Sequence, residues 1–213
     1  MFALPPALPP FIHACVWLTH PCVWSQNNYY SDKEGEIGAS DGMHFERILA
    51  WYRDFFGKSD PAKVGASILF PIGAMRAMHN LSAMSEGRAV VISGDKGNNN
   101  VEQFRGLMDP HIAVHGSFSL MVNYHAIGAY FTSRGGFTLH NPQEEASLKV
   151  SCFVLPGQND IEDDAGCEPF MGEGLDKLDV ERSRQFPNLK QAFKDHAEDF
   201  GPNDFFIMQV SVL

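Results

Sequence analysis

Charged side chains are missing from the first 31 residues, and cysteine is scarce, with Cys15, Cys22, Cys152 and Cys167 the only four among 213 residues. No two of them form a C-x-x-C pair, and four are too sparse for a disulfide-stapled scaffold, so a reducing, cytoplasmic compartment is expected. No run of 18 apolar residues occurs, which excludes a spanning helix, and the N-terminus lacks the basic start of a secretory signal. Basic residues are the minority, 16 Lys and Arg against 26 Asp and Glu, for a formal net charge of −10. With no Lys/Arg-rich run to neutralise phosphates, nucleic acid is not an expected partner; basic or neutral groups suit the chain better.

Several chemistry-bearing motifs are also missing. The phosphate loop G-x-x-x-x-G-K-[ST] and the dinucleotide fingerprint G-x-G-x-x-G do not occur. No nucleophile elbow G-x-S-x-G accompanies a Ser–His–Asp or Cys–His set. The acidic stretch from Asp160 places Ala165 where an EF-hand needs glycine and Met171 where it needs glutamate, so a calcium loop is rejected.

What is present begins with an extended N-terminal segment over residues 1–40, charge-free as far as Ser31. Pro5, Pro6, Pro9 and Pro10 forbid a helix at its start. It carries a small repeat, His13-Ala-Cys15-Val-Trp17 and His20-Pro-Cys22-Val-Trp24. Two His and two Cys are a tetrahedral zinc set in principle, but H-x-C is not a zinc-finger spacing, and Cys and Trp are good core residues. No metal ligands are therefore assigned, and a zinc module stands as a third functional option.

From residue 41 to 155 the pattern is that of an α/β core. Phe45, Ile48, Leu49, Tyr52 and Phe56 lie on one helical stripe that stops at Gly57. Pro71 suits the first turn of a second helix, with Ile72, Met75, His79 and Ser82 on one face and Phe70 extended before it. "AVVIS", Ala89 to Ser93, reads as a strand covered on both faces. A third helix is expected from Ser117 as N-cap, through Leu120, Tyr124, Ile127 and Phe131, to the stop at Gly135-Gly136. His125 within it reads as a satisfied core histidine. "FTLHN" and "LKVSCFVL" form an antiparallel hairpin. Residues 156–185 read as an acidic, flexible insertion, and 186–213 as a helical C-terminal segment with Leu189, Phe193, Ala197 and Phe200 on one face.

This order predicts a partial doubly wound α/β fold: a mostly parallel sheet with an antiparallel C-terminal hairpin. Ligands of such sheets sit beyond the carboxyl ends of the strands, where Ser93, Gly94, Asp95, Lys96 and Gly97 follow the apolar run. Two glycines would bend the backbone and expose Asp95 and Lys96; the alternative is a solvated turn. His115, Gly116 and Ser117 precede the third helix, whose free N–H groups suit a carbonyl or carboxylate, with His115 as proton acceptor. The other reading of His115 is a hydrogen bond to the helix end alone.

The stretches "GRAVVISGDKG", "HGSFSLMVNYHAIGAYFTSRGGFTLHN" and "LKVSCFVL" together resemble the C-terminal half of a class I S-adenosylmethionine-dependent methyltransferase, MidA-like, over residues 66–155. The resemblance implies a Rossmann-like sheet ending in a buried strand, a helix and a hairpin whose last strand is antiparallel. It implies a transferase using S-adenosyl-L-methionine, with a protein among its acceptors. Asp95 and His115 would be the catalytic residues, and Ser93, Gly94, Lys96, Gly97, Gly116 and Ser117 would line the cleft. The family's acidic residue followed by G-x-G-x-G is absent, so a truncated domain, a fragment, or a degenerate relative is expected. A non-catalytic interaction module derived from that fold, binding a partner chain through its uncovered apolar edges, is the alternative function.

Overall fold

The computed structural model describes residues 14–18, 45–57, 66–107, 112–114, 116, 118–141, 148–157 and 175–199. Strand β1 (Ala14–Leu18) falls in the charge-free segment; the rest of residues 1–40 lies outside the described residues. Helix α1 (Phe45–Gly57) follows the expected stripe, burying Phe45, Ile48, Tyr52 and Phe56 while Arg53 and Asp54 face solvent. β2 (Ala66–Phe70) pairs antiparallel with β1, Ala14 opposite Phe70. Helix α2 (Ile72–Met84) starts directly after Pro71, whose missing N–H costs nothing at a helix start.

Next comes β3 (Arg88–Asn98), which is much longer than the apolar run that announces it. Its first consequence is a correction: "SGDKG" is not a turn but strand, paired residue by residue with β8 (Leu148–Pro156) from Arg88↔Pro156 to Lys96↔Leu148. After a short 3-10 turn at Val101–Phe104, a small hairpin joins β4 (Ile112–Val114) to β5 (Phe118–Leu120). β6 (Val122–Asn123) then leads straight into helix α3 (Tyr124–Ser133), and β7 (Phe137–His140) precedes β8. Helices α4 (Leu175–Ser183) and α5 (Pro187–His196) complete the described chain.

The main sheet runs β6–β3–β8–β7. β8 is antiparallel to both of its neighbours, so the expected hairpin of β7 and β8 is present. The expectation of a mostly parallel sheet is not met: the one parallel pairing here joins Gly97 and Asn98 of β3 to Val122 and Asn123 of β6. The reason is topological. β8 inserts between β3 and β7, and thereby gives β3 a long partner running the opposite way.

That insertion also decides which strand is interior. β8 is buried along its whole length, whereas β3 alternates, with Val90 58% and Ile92 68% exposed on its outer face. The run "AVVIS" is thus a one-sided strand, and "LKVSCFVL" is the one covered on both faces. Val150, Cys152 and Val154 point outward into a small cluster with Phe137 and Phe193, against which Leu189 of α5 and Ala197 just after it pack. Phe200, assigned to the same stripe, lies outside the described residues. Phe153 and Leu155 point inward to the main core, with Tyr52, Ile68, Met75, Ile127 and Phe131. Helix α3 is enclosed nearly all round, Ala126 through Thr132 being buried.

The N-terminus of α3 departs from expectation. Ser117 lies outside the described residues, and the helix begins at Tyr124, seven positions later. Asn123 is the cap: its side chain accepts from Ala126 N at 2.9 Å, satisfying a donor of the first turn. The acidic stretch 156–185 likewise holds more structure than a single connection, since Pro156 ends β8 and Leu175–Ser183 is α4. Asp179 of α4 accepts from Thr132 Oγ1 at 2.8 Å and from Thr138 Oγ1 at 2.5 Å, and Arg182 donates to the carbonyls of Thr132 and Gly136, each at 2.7 Å. Among the described residues no helix is long and apolar enough to cross a membrane.

Candidate functional site

Two rungs of the β3–β8 ladder are polar. Ser93 stands opposite Ser151 and Asp95 opposite Lys149, while Val91–Phe153 and Ala89–Leu155 continue the same face into the core. Directly opposite residues of an antiparallel pair share a face. The inner face of the sheet therefore changes from apolar to polar toward the carboxyl end of β3, where α3 begins.

Gly97 fixes how closely α3 approaches. A Cβ there would lie 2.5 Å from the Val122 carbonyl oxygen and 2.6 Å from the Tyr124 ring, so only glycine lets β6 and Tyr124 pack against β3. The glycine expected to bend a loop instead permits close contact. Gly94 differs: its Cβ would meet Val150 at an ordinary 3.7 Å, and its exposed position demands no glycine.

Three consecutive residues at the start of α3 tie this end together. Asn123 caps the helix and donates from Nδ2 to the Leu69 carbonyl of β2 at 3.0 Å. The Tyr124 hydroxyl lies 3.0 Å from Ser93 Oγ. His125 Nδ1 lies 2.7 Å from the Tyr52 hydroxyl, which in turn is 3.4 Å from Asn123 Oδ1. One proton arrangement satisfies both contacts: His125 donates to Tyr52, and Tyr52 donates to Asn123. The Trp51 ring, its centre 5.0 Å from that of His125, closes the apolar side, so His125 is a satisfied interior histidine. A second pair sits on the same inner face, with His140 Nδ1 2.7 Å from Ser151 Oγ.

Burial sets the protonation of the whole seam. It pushes the Tyr124 hydroxyl up, the Ser93 hydrogen bond works against that shift, and the negative charge of Asp95 adds to it. Burial also raises Tyr52 far above the ordinary phenol range. His125 is driven down to about 3, chiefly by burial and then by His140; His140 falls to about 4, by burial and then by the Lys149 charge. Both imidazoles are neutral at pH 7 and are poor bases there. Ser151 is fully buried and His140 half-buried, so in Ser151–His140 the hydroxyl is not an accessible nucleophile.

The sequence-derived site is only partly assembled. Ser93 and Gly97 meet Tyr124, and Asp95 lies exposed beside it, its Oδ1 accepting from Lys96 N at 2.7 Å. Lys96 stands opposite Leu148 on the other face, so Asp95 and Lys96 do not act together. Gly116, at φ +79°, lies between β4 and β5 and not at a helix N-terminus; His115 and Ser117 lie outside the described residues. Of the His13–Cys22 repeat, His13, His20, Cys22 and Trp24 also lie outside them. Among the described residues no group of three His, Cys, Asp or Glu side chains could hold a metal ion. Sequence reasoning missed Asn123, Tyr124, Tyr52, Lys149 and Ser151. The signal for the last two was available: Lys and Ser alternate with apolar residues in "LKVSCFV", placing both on one strand face.

The chain matches no protein-family model, no curated protein and no solved structure.

Proposed function

We propose that this chain supplies the acceptor side of an S-adenosylmethionine-dependent methyltransferase-like domain acting on protein. The observation that carries the reading is the run β3, α3, β7, β8, with β8 antiparallel, ending a sheet whose inner rungs turn polar at the carboxyl end of β3. Asp95 is the exposed carboxylate there, able to hold a cationic or amide group, and the Tyr124–Ser93 hydroxyl pair offers a neutral donor beside it. Neutral, half-buried histidines make the seam weak in acid–base chemistry but well ordered. Methyl transfer depends on orientation more than on a general base, and such ordering suits it.

The described residues do not fit the cofactor. No acidic residue followed by G-x-G-x-G occurs in the sequence, and the two glycines of β3 are engaged in strand pairing, Gly94 opposite Val150 and Gly97 opposite Val122, not in an open loop. No step through S-adenosylmethionine is therefore derived from them. The test is acceptor binding, which asks nothing of the cofactor: titration of the full chain with a lysine-bearing peptide. Saturable binding is expected, weakened by about tenfold in Asp95→Asn, the scale of one charged hydrogen bond lost. No saturable binding, or unchanged affinity in Asp95→Asn, overturns the reading.

A second reading, a non-catalytic interaction module, is favoured by the exposed apolar face of the β4–β5 hairpin, Ile112, Val114 and Phe118, together with Val90 and Ile92. Co-purification of a stoichiometric partner, lost in Phe118→Ser, is its expected outcome; a monodisperse monomer with no partner counts against it.

A further inference from the structure

At the other end of α3 from the polar rungs, a guanidinium is held in place without a carboxylate. Arg134 is the residue after α3. Its Nη1 lies 3.0 Å from His79 Nδ1 and 3.3 Å from Ser82 Oγ, both on α2, and donates to the Tyr130 hydroxyl. The guanidinium carbon sits 5.5 Å from the centre of the Tyr130 ring. Three acceptors thus share the two protons of Nη1. The other edge of the fork, Nε with Nη2, makes no hydrogen bond among the described residues, and no acidic side chain there pairs with the cation.

Capping of helix ends does not account for this arrangement. The last carbonyls of α3 already have donors: Phe131 O accepts from the backbone N–H groups of Arg134 and Gly136, and Thr132 O accepts from Gly135 N and Arg182. On α2, Ser82 O accepts from Ser85 N and Gly87 N. The helix ends favour a positive charge at this position, but the hydrogen bonds fixing the guanidinium come from side chains. Those side chains hold one edge of a planar fork and leave the other open, on a partly buried residue.

We infer that Arg134 forms an oxyanion site, its Nε–Nη2 edge taking a carboxylate or phosphoryl group side-on in two parallel hydrogen bonds. His79, Ser82 and Tyr130 are positioning residues that keep the fork oriented before the anion arrives. The site shares no residue with the β3–α3 seam, so its fate is separate from that of the function proposed above.

The test is nuclear magnetic resonance of the Arg134 Nε–H and the Gly135 amide in the full chain. Inorganic phosphate and acetate are titrated separately against chloride at equal ionic strength. A saturable shift with phosphate or acetate, and none with chloride, is the expected result; a phosphate-only response assigns a phosphoryl ligand and an acetate-only response a carboxylate. In Arg134→Lys, which keeps the charge and loses the fork, the Gly135 response should weaken by about tenfold or more. No saturable shift with either anion in the wild-type chain overturns the site, as does unchanged affinity in Arg134→Lys.

Discussion

Gly97 carries the tightest constraint at the seam. A methyl group there meets a backbone oxygen that cannot rotate away, so Gly97→Ala should destabilise the chain by about 1–3 kcal/mol, the usual cost of overpacking. Gly94→Ala, facing open space beside Val150, should cost far less; chemical denaturation of both variants measures the contrast. Asn123 both caps α3 and bridges to β2, and Asn123→Ala should cost about 1–2 kcal/mol from the cap alone. Of the residues singled out in the sequence, Ser93, Asp95 and Gly97 do gather near Tyr124. Their neighbours were not legible, because Tyr124 and Asn123 reach them only through the register of β3 and β6, which no local pattern encodes.

Helices whose apolar stripes face one core were readable: α1, α2 and α5 lie where Phe45 to Phe56, Ile72 to Ser82 and Leu189 to Ala197 place them. Errors arose where one pattern serves two structures. A continuous apolar run marks a strand, yet it does not say whether one face or both are covered. That depends on α5 reaching β8 but leaving Val90 and Ile92 open. Leu120 kept helical spacing with Tyr124 although it belongs to β5, because Asn123 is the stronger start signal. α4 is nearly without an apolar stripe, so its sequence resembles a connection; its docking is polar, through Asp179 and Arg182. Asp179→Ala should leave Thr132 and Thr138 short of a partner and loosen α4, a loss of about 1–3 kcal/mol. Hydrogen exchange over residues 175–183 should then accelerate while that of β8 stays slow; equal protection in both forms would count against polar docking.

Across the whole molecule, His125 and His140 make stability depend on acidity. Each has an ordinary value of 6.5 and is driven down by burial, to about 3 and about 4. Below pH 6.5 the unfolded chain therefore takes up protons that the folded chain refuses, and stability falls as pH drops toward 4. Thermal melting should show Tm falling between pH 6.5 and pH 4.5, with a smaller fall in His140→Gln; identical slopes would show that His140 does not contribute. The whole site rests on one register, which places Asp95 opposite Lys149 and Ser93 opposite Ser151, beneath the Tyr124 hydroxyl at the start of α3. Nuclear Overhauser contacts within the full chain read that register. Cross-strand backbone contacts between Asp95 and Lys149 are expected, with side-chain contacts from the Tyr124 ring to Ser93 and Gly97. Their absence, with Asp95 and Lys96 showing the sequential contacts of a tight turn, would contradict it.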